Sequence, residues 1–208
     1  MAIIVHHLEN SRSQRILWML EELGLPYEVR RYERNPKTML APPALKQVHP
    51  LGKAPVVEHD GRVVAETATI PEYLVAIAGG RLGPPEDADG ALRWRYFLDY
   101  AEGSLMPPLL LSLVIGKMGP LGWPAKGFVT RMAMTHIDYV ESELSQRPWF
   151  AGTDFSAADV MMSFPLEAGR QRLKLDGRRP SIVAWLERIH ARPAYQAGLA
   201  KGGPYAYA

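Results

Sequence analysis

The order in which two hydrophobic periodicities follow one another constrains the fold of this chain more than any other feature. Within the first 80 residues, short apolar segments of strand character alternate with segments of helical period, whereas every later periodic segment is helical. Residues 2–5 and 27–30 indicate strands, and between them Ile16, Leu20 and Leu23 recur at i, i+4 and i+7. This arrangement predicts a βαβ unit whose two strands are parallel.

A hairpin and a second helix are predicted next. Residues 55–58 and 62–65 flank His59-Asp60-Gly61, in which Asp-Gly supplies the positive φ of a tight hairpin turn. Thr67 is expected to cap a helix that runs to Ala78. The order βαβ followed by ββα is that of an α/β thioredoxin-like domain.

The composition then marks a domain boundary, because Gly, Pro and Asp are concentrated between residues 79 and 90. Beyond this stretch the periodicity is only helical. We therefore predict a thioredoxin-like domain over residues 1–80, a linker over 81–90 and an all-helical bundle over 91–208.

Charge and composition exclude several classes of function. A net charge of +2 is too small to indicate a nucleic-acid partner, and the absence of cysteine excludes disulfides, thiolate metal sites and chemistry that needs a protein thiol. The longest apolar stretch, residues 105–115, contains two prolines and is shorter than a membrane span. The N-terminus lacks the pattern of a signal peptide, so we expect a cytoplasmic protein with no membrane association.

A family resemblance is carried by five segments that occur in one order along nearly the whole chain: residues 10–28, 49–57, 66–67, 155–159 and 192–195. Together they resemble the cytosolic glutathione S-transferases, in particular the bacterial and fungal group similar to yeast glutathione transferase I. The resemblance implies a thioredoxin-like domain that binds glutathione as co-substrate and a helical second domain.

The resemblance also implies which residues hold glutathione. The Ala54-Pro55 bond is expected to be cis, so that the Ala54 backbone pairs with the cysteinyl part of glutathione in the manner of an added strand. Thr67 and the first amides of the following helix would bind the γ-glutamyl carboxylate, and Glu66 would receive the ammonium group. Lys53 and Arg12 complete the expected glutathione-binding set.

Two departures from the family pattern occur here. Threonine stands at position 67, where serine is common, and Pro71 falls at the fourth helical position if Thr67 is the cap, where it removes a backbone donor. The alternative interpretation of the pair is structural, with Thr67 as an N-cap and Glu66 as a partner of the helix dipole.

The family takes the group that stabilises the thiolate from just after the first strand, where it uses Tyr, Ser or Cys. Here cysteine is absent and residues 2–9 contain no tyrosine, which leaves Asn10, Ser11 and Ser13. The Ser-Arg-Ser pattern favours Ser11, whereas alignment on Arg15 and the helix favours Asn10. A third possibility is that Ser11 or Ser13 only caps the helix.

Three further motifs have structural interpretations. Residues 156–159 form a capping-box variant, which predicts that Ser156 and Asp159 serve folding. His6 and His7 are adjacent in a strand, so they point to opposite faces and cannot share a metal ion; we expect packing or surface roles for both, and no metal site. Tyr96 and Tyr100 on a later helix are candidates for the wall of the electrophile site, although aromatic residues at this spacing are more often core.

These observations predict a glutathione transferase that activates the glutathione thiol as a thiolate for attack on a hydrophobic electrophile, as in detoxification. Two alternatives on the same scaffold remain open: a glutathione-dependent peroxidase, and a non-catalytic protein that binds glutathione or another ligand. A homodimer is expected from the family.

Overall fold

The computed structural model describes residues 2–173, 175 and 177–207. The chain divides into two compact units. The first runs to Gly83 and takes up the chain again from His190, and the second is Pro84–Ile189. The outer limits of the predicted domains, residues 1 and 208, lie outside the described residues.

The first unit contains a four-stranded sheet in the order β2-β1-β3-β4. Its strands are β1 (Ile3–Leu8), β2 (Tyr27–Tyr32), β3 (Val56–His59) and β4 (Arg62–Ala65). β1 is parallel to β2, and the pairs β1/β3 and β3/β4 are antiparallel. Asp60 and Gly61 have φ of 49° and 74°, as the two-residue hairpin turn requires. The predicted βαβ-ββα order is confirmed.

Helix α1 (Gln14–Leu23) has its predicted apolar face in the core, where Ile16, Leu20 and Leu23 are buried. It ends at Gly24, whose φ of 59° is the left-handed conformation that terminates many helices. A short helix α2 (Leu45–Val48) follows β2.

Helix α3 (Thr69–Ile77) begins one residue later than predicted. Ala68 occupies the N-cap position and Glu66 has a φ of 75°, so Thr67 is not the cap. The physical reason lies at Pro71, which becomes the third helical residue. The first amides of a helix have no partner within it, so the missing N–H of Pro71 costs no hydrogen bond there.

All the regular secondary structure among the described residues of the second unit is helical. Its elements are α4 (Ala88–Tyr100), a π-helical turn (Ala101–Leu105), α5 (Met106–Lys117), a 3-10 turn (Gly119–Gly122), α6 (Trp123–Gln146), α7 (Ala157–Leu173) and α8 (Pro180–His190). The first helix begins inside the predicted linker, because Asp87 accepts a hydrogen bond from the Gly90 amide at 2.7 Å and caps it.

The capping-box prediction for residues 156–159 is confirmed at the start of α7. The fully buried Asp159 carboxylate accepts from the amides of Ser156 and Phe150 at 3.0 and 3.1 Å, and from Trp185 Nε1 at 3.3 Å. The Ser156 hydroxyl oxygen accepts from the Ala158 amide at 3.3 Å. This network joins the α7 start, the preceding loop and α8.

By length and composition alone, the continuous helical run Ala88–Lys117 could cross a membrane, with a mean hydropathy of 1.2 over its most apolar window. Within the protein, 44% of that window is buried, and both α4 and α5 pack against α7. Core helices of soluble proteins pass the same test.

The last helix, α9 (Pro193–Gly202), belongs to the first unit, whereas the sequence places it in a helical domain that extends to the end of the chain. It packs against α1, where the rings of Tyr195 and Trp18 meet edge to face at 5.1 Å. Arg192 pairs with Glu22 at 2.5 and 2.9 Å. Glycines in α9 permit this close approach, and helical periodicity alone does not reveal it.

Candidate active site

Three loops of the first unit meet at one end of the sheet. In the β1/β3 register His6 lies opposite Val56, and in the β3/β4 register Val56 lies opposite Ala65. Three segments therefore lie at the same end of the sheet: the one after β1, the one before β3 and the one after β4. These loops hold all the residues that the sequence predicts for the site: Asn10, Ser11, Arg12, Lys53, Ala54, Pro55, Glu66 and Thr67.

The loop after β1 is organised around the buried hydroxyl of Ser13. Its oxygen lies 2.7 Å from the Ser11 hydroxyl and 2.9 Å from His7 Nδ1, and it accepts from the Leu8 amide at 3.1 Å. Ser11, only 6% exposed, accepts from the Ser13 amide at 3.2 Å. Ser11 thus satisfies an amide that lies before α1, whereas Ser13, at the N-cap position of α1, forms no side-chain capping hydrogen bond.

Asn10 is fixed from two directions. Its backbone has a φ of 49°, and its carbonyl accepts from Arg34 Nη2 at 3.4 Å. Its side-chain Oδ1 accepts from the Ala206 amide at 2.8 Å. Non-glycine residues in this region of φ are uncommon and are often found at functional sites. The Ala206 contact spans nearly the whole sequence, so no local pattern could have predicted it.

His6 and His7 point to opposite faces of the sheet, as predicted, and both are buried. His6 bonds to the Tyr32 hydroxyl at 2.9 Å and to Glu58 at 2.7 Å, whereas His7 faces Ser13. Burial lowers the pKa of His7 to about 4. Among the described residues, no group of three or more His, Asp and Glu side chains could hold a metal ion.

The loop before β3 contains the predicted cis Ala54-Pro55 peptide bond, which is confirmed. Pro55 is buried, Ala54 is partly exposed and Lys53 is exposed. Ala54 is therefore partly accessible from solvent, while the buried proline packs in the domain.

Glu66 and Thr67 lie between the end of β4 and the start of α3. Glu66 is exposed with a φ of 75°, and Thr67 is partly exposed. Within the described part of the chain, neither side chain forms a hydrogen bond or an ion pair. Since Ala68 is the N-cap, the Thr67 hydroxyl lies beside the Ala68 and Thr69 amides, which precede the first intrahelical hydrogen bonds, while the Ile70 amide donates to the Glu66 carbonyl at 3.1 Å.

In the second unit, Tyr100 is buried and shares a hydrogen bond of 2.7 Å with His136 Nδ1, while Tyr96 is 45% exposed and stacks on Tyr100. The core interpretation therefore holds for Tyr100. A cavity of about 290 Å³ also lies in this unit, between the end of α5, the start of α6 and the end of α7.

Comparisons with known proteins give a consistent result. Residues 11–77 match the model of the glutathione S-transferase N-terminal domain, and residues 131–193 match that of the C-terminal domain. Glutathione S-transferase 3 of Schizosaccharomyces pombe is 35% identical, over 92% of this chain and 84% of its own length. Glutathione S-transferase 1 of Saccharomyces cerevisiae is 32% identical, over 96% and 94%. The crystal structure of a glutathione S-transferase from Actinobacillus pleuropneumoniae superimposes with a TM-score of 0.88 at 33% identity, covering 99% of this chain and 95% of its own.

Proposed function

Since this chain belongs to the glutathione S-transferase family, we propose that it binds glutathione at the sheet end where the three loops meet and activates the glutathione thiol. One observation supports this proposal most strongly. The strand registers bring three segments to the same end of the sheet: Asn10–Arg12, the cis Ala54-Pro55 bend and Glu66-Thr67. Conjugation of the activated sulfur to a hydrophobic electrophile is the reaction.

The groups in these three loops match the cysteinyl and γ-glutamyl parts of glutathione in charge and hydrogen bonding. The Ala54 backbone at the cis bend offers its N–H and C=O to the cysteinyl residue, in the manner of an added antiparallel strand. The Thr67 hydroxyl and the N-terminal amides of α3 favour the γ-glutamyl carboxylate, because a helix N-terminus carries a partial positive charge. Glu66 balances the ammonium group, and Arg12 and Lys53 add positive charge for the carboxylates.

Activation of the thiol requires only modest electrostatics. A free thiol has a pKa of about 8.5, and lowering it by about two units corresponds to about 2.7 kcal/mol in favour of the thiolate. One hydrogen bond to a charged group contributes about 1.5–3 kcal/mol, and a helix N-terminus adds about 0.3–1 kcal/mol. The Asn10–Ser11 loop and the start of α1, whose first turn contains no acidic residue, supply both.

The remaining features of the proposal follow from the family and the composition. We place the enzyme in the cytoplasm as a homodimer with a role in detoxification. A hydrophobic small molecule is the second substrate, and neither nucleic acid nor membrane is a partner.

Calorimetric titration with glutathione tests the binding site. Glu66→Gln and Thr67→Val should each weaken glutathione binding about tenfold or more, because each removes a partner of a charged group. Glu28→Gln is the matched control, since Glu28 is exposed and pairs with Ile4 at the start of β1, near the opposite end of the sheet. Equal affinity in all four proteins would contradict this site, and no binding by the wild type would contradict the function.

A further inference from the structure

Arg34, which follows β2, contacts the loop after β1 through one edge of its guanidinium group. Nε donates to the Glu9 carbonyl at 3.1 Å, and Nη2 donates to the Asn10 carbonyl at 3.4 Å. These two nitrogens lie on the same edge of the planar group, so their N–H bonds form a rigid fork. The Arg34 amide also donates to the Glu9 carboxylate at 2.8 Å. Arg34 therefore holds two consecutive carbonyls of this loop.

The two carbonyls belong to the peptide planes on either side of the Asn10 Cα. Because each peptide bond is planar, the orientations of these two planes define φ and ψ of Asn10. Asn10 has a φ of 49°, in the left-handed region that is uncommon for residues other than glycine. Such a conformation persists where the surrounding structure defines it. The fork of Arg34 is a contact that defines it from both sides.

The opposite edge of the guanidinium is itself held in place. Nη1 donates to the carbonyl of Met39 at 2.9 Å, and Met39 has a φ of 60°. The Met39 amide donates to the Asn35 carbonyl at 2.8 Å, and Asn35 Oδ1 accepts from the amides of Lys37 and Thr38 at 2.9 and 3.0 Å. The turn after β2 is thus hydrogen-bonded within itself, and it fixes the orientation of the Arg34 fork.

The Asn10–Ser11 loop contains two donors that have no acceptor in the described part of the chain, Asn10 Nδ2 and the Ser11 N–H. Asn10 Oδ1 accepts from the Ala206 amide at 2.8 Å, which defines the orientation of the side-chain amide. The Ser11 N–H lies in the same peptide plane as the Asn10 carbonyl and points in the opposite direction, because this peptide bond is trans. The contact between Arg34 and the Asn10 carbonyl therefore also sets the direction of the Ser11 N–H.

We propose that Arg34 is a positioning residue for the sulfur site: its fork holds the peptide planes on both sides of Asn10 and so places the Asn10 side-chain amide and the Ser11 N–H to stabilise the thiolate. This inference rests on the proposed function. Donors stabilise a charge best when they are oriented before it forms. A lysine at position 34 would keep the positive charge, but it has no planar fork with which to hold both carbonyls.

The effect on the backbone is tested without glutathione, by NMR of Arg34→Lys and of the matched control Arg30→Lys, which changes an exposed arginine within β2. Arg34→Lys keeps the backbone contact to the Glu9 carboxylate, so we expect it to fold. The backbone chemical shifts of Asn10, which report φ and ψ, should leave the left-handed range in Arg34→Lys and stay there in Arg30→Lys. Left-handed shifts of Asn10 in Arg34→Lys would overturn the inference.

The effect on the sulfur is tested by the pKa of the bound glutathione thiol, followed through the ultraviolet absorbance of its thiolate. Arg34→Lys should raise this pKa by about 0.5 unit or more, and Arg30→Lys should shift it by less than about 0.2 unit. Because Arg34→Lys preserves the charge, an effect of charge alone at position 34 predicts no shift. An unchanged thiol pKa in Arg34→Lys would therefore overturn the positioning role.

Thermal melting accompanies both measurements and reports whether each variant is folded. If Arg34→Lys does not fold, Arg34→Gln provides the second test, because a single side-chain amide also lacks the guanidinium fork; it should raise the thiol pKa and move the Asn10 shifts in the same way. Absence of any bound thiolate in the wild type would instead contradict the proposed function, and the NMR result would still decide whether Arg34 holds Asn10.

Discussion

Gly198 in α9 lies directly against the backbone of Trp18 in α1: a Cβ added to Gly198 would stand 2.9 Å from the Trp18 nitrogen and 3.0 Å from its Cα. Backbone atoms inside a helix cannot move aside as the end of a side chain can. The contact between α1 and α9 therefore depends on the absence of a side chain at position 198.

Gly198→Ala should destabilise the protein by about 1–3 kcal/mol, because overpacking outweighs the gain in helix propensity of about 0.5–1 kcal/mol. Gly127→Ala is the matched control in α6, where the added Cβ meets nothing closer than 3.9 Å. Gly127→Ala should leave the free energy of unfolding unchanged or raise it. Chemical denaturation checks both variants, and a Gly198→Ala protein as stable as the wild type would contradict the described packing.

The capping network at the start of α7 should affect folding and leave glutathione binding intact. Asp159→Ala removes the acceptor of several buried donors and should cost about 3 kcal/mol or more, whereas Ser156→Ala should cost about 1 kcal/mol. Asp154→Ala, at an exposed position nearby, should change stability by less than about 0.5 kcal/mol. Thermal melting and the glutathione affinity of the folded protein are measured together, and weakened glutathione binding with unchanged melting would contradict the structural role.

His7 should make the protein less stable in mild acid. Its pKa is lowered from 6.5 to about 4 in the folded state, mainly by burial, so the unfolded chain binds the proton more readily. The contribution is fully present above the unfolded pKa and is lost as the pH falls from about 6.5 towards 4. Between about pH 7 and pH 5 the wild type should lose about 2 kcal/mol that His7→Asn does not lose. Parallel pH dependences in the two proteins would be inconsistent with a buried neutral histidine.

The fold was largely predictable because its signals are local. Strand and helix periodicity, the Asp60-Gly61 turn and the Ser156–Asp159 capping box each depend on residues close together in sequence. The start of α3 was misjudged because Thr67 has the chemistry of a cap, whereas the positive φ of Glu66 and the place of Pro71 favour a later start.

The site was only partly predictable for a related reason. The cis Ala54-Pro55 bond followed from the family resemblance and was confirmed, and the strand registers bring the three predicted segments together. The Ser13 hydroxyl contacts the buried His7 of β1, and the Asn10 side chain accepts from the Ala206 amide. A contact between the first loop and the residues that follow α9 leaves no periodicity or local motif in the sequence.

The most direct test of the central claim is a pH titration of wild-type protein saturated with glutathione, with the ultraviolet absorbance of the thiolate as the signal and S-methylglutathione as the matched control. We predict that the bound thiol ionises with a pKa below neutral, about two units under the value of about 8.5 for a free thiol. Glutathione that binds but titrates at the free value would contradict activation of the thiol and identify the protein as a glutathione-binding protein without transferase chemistry.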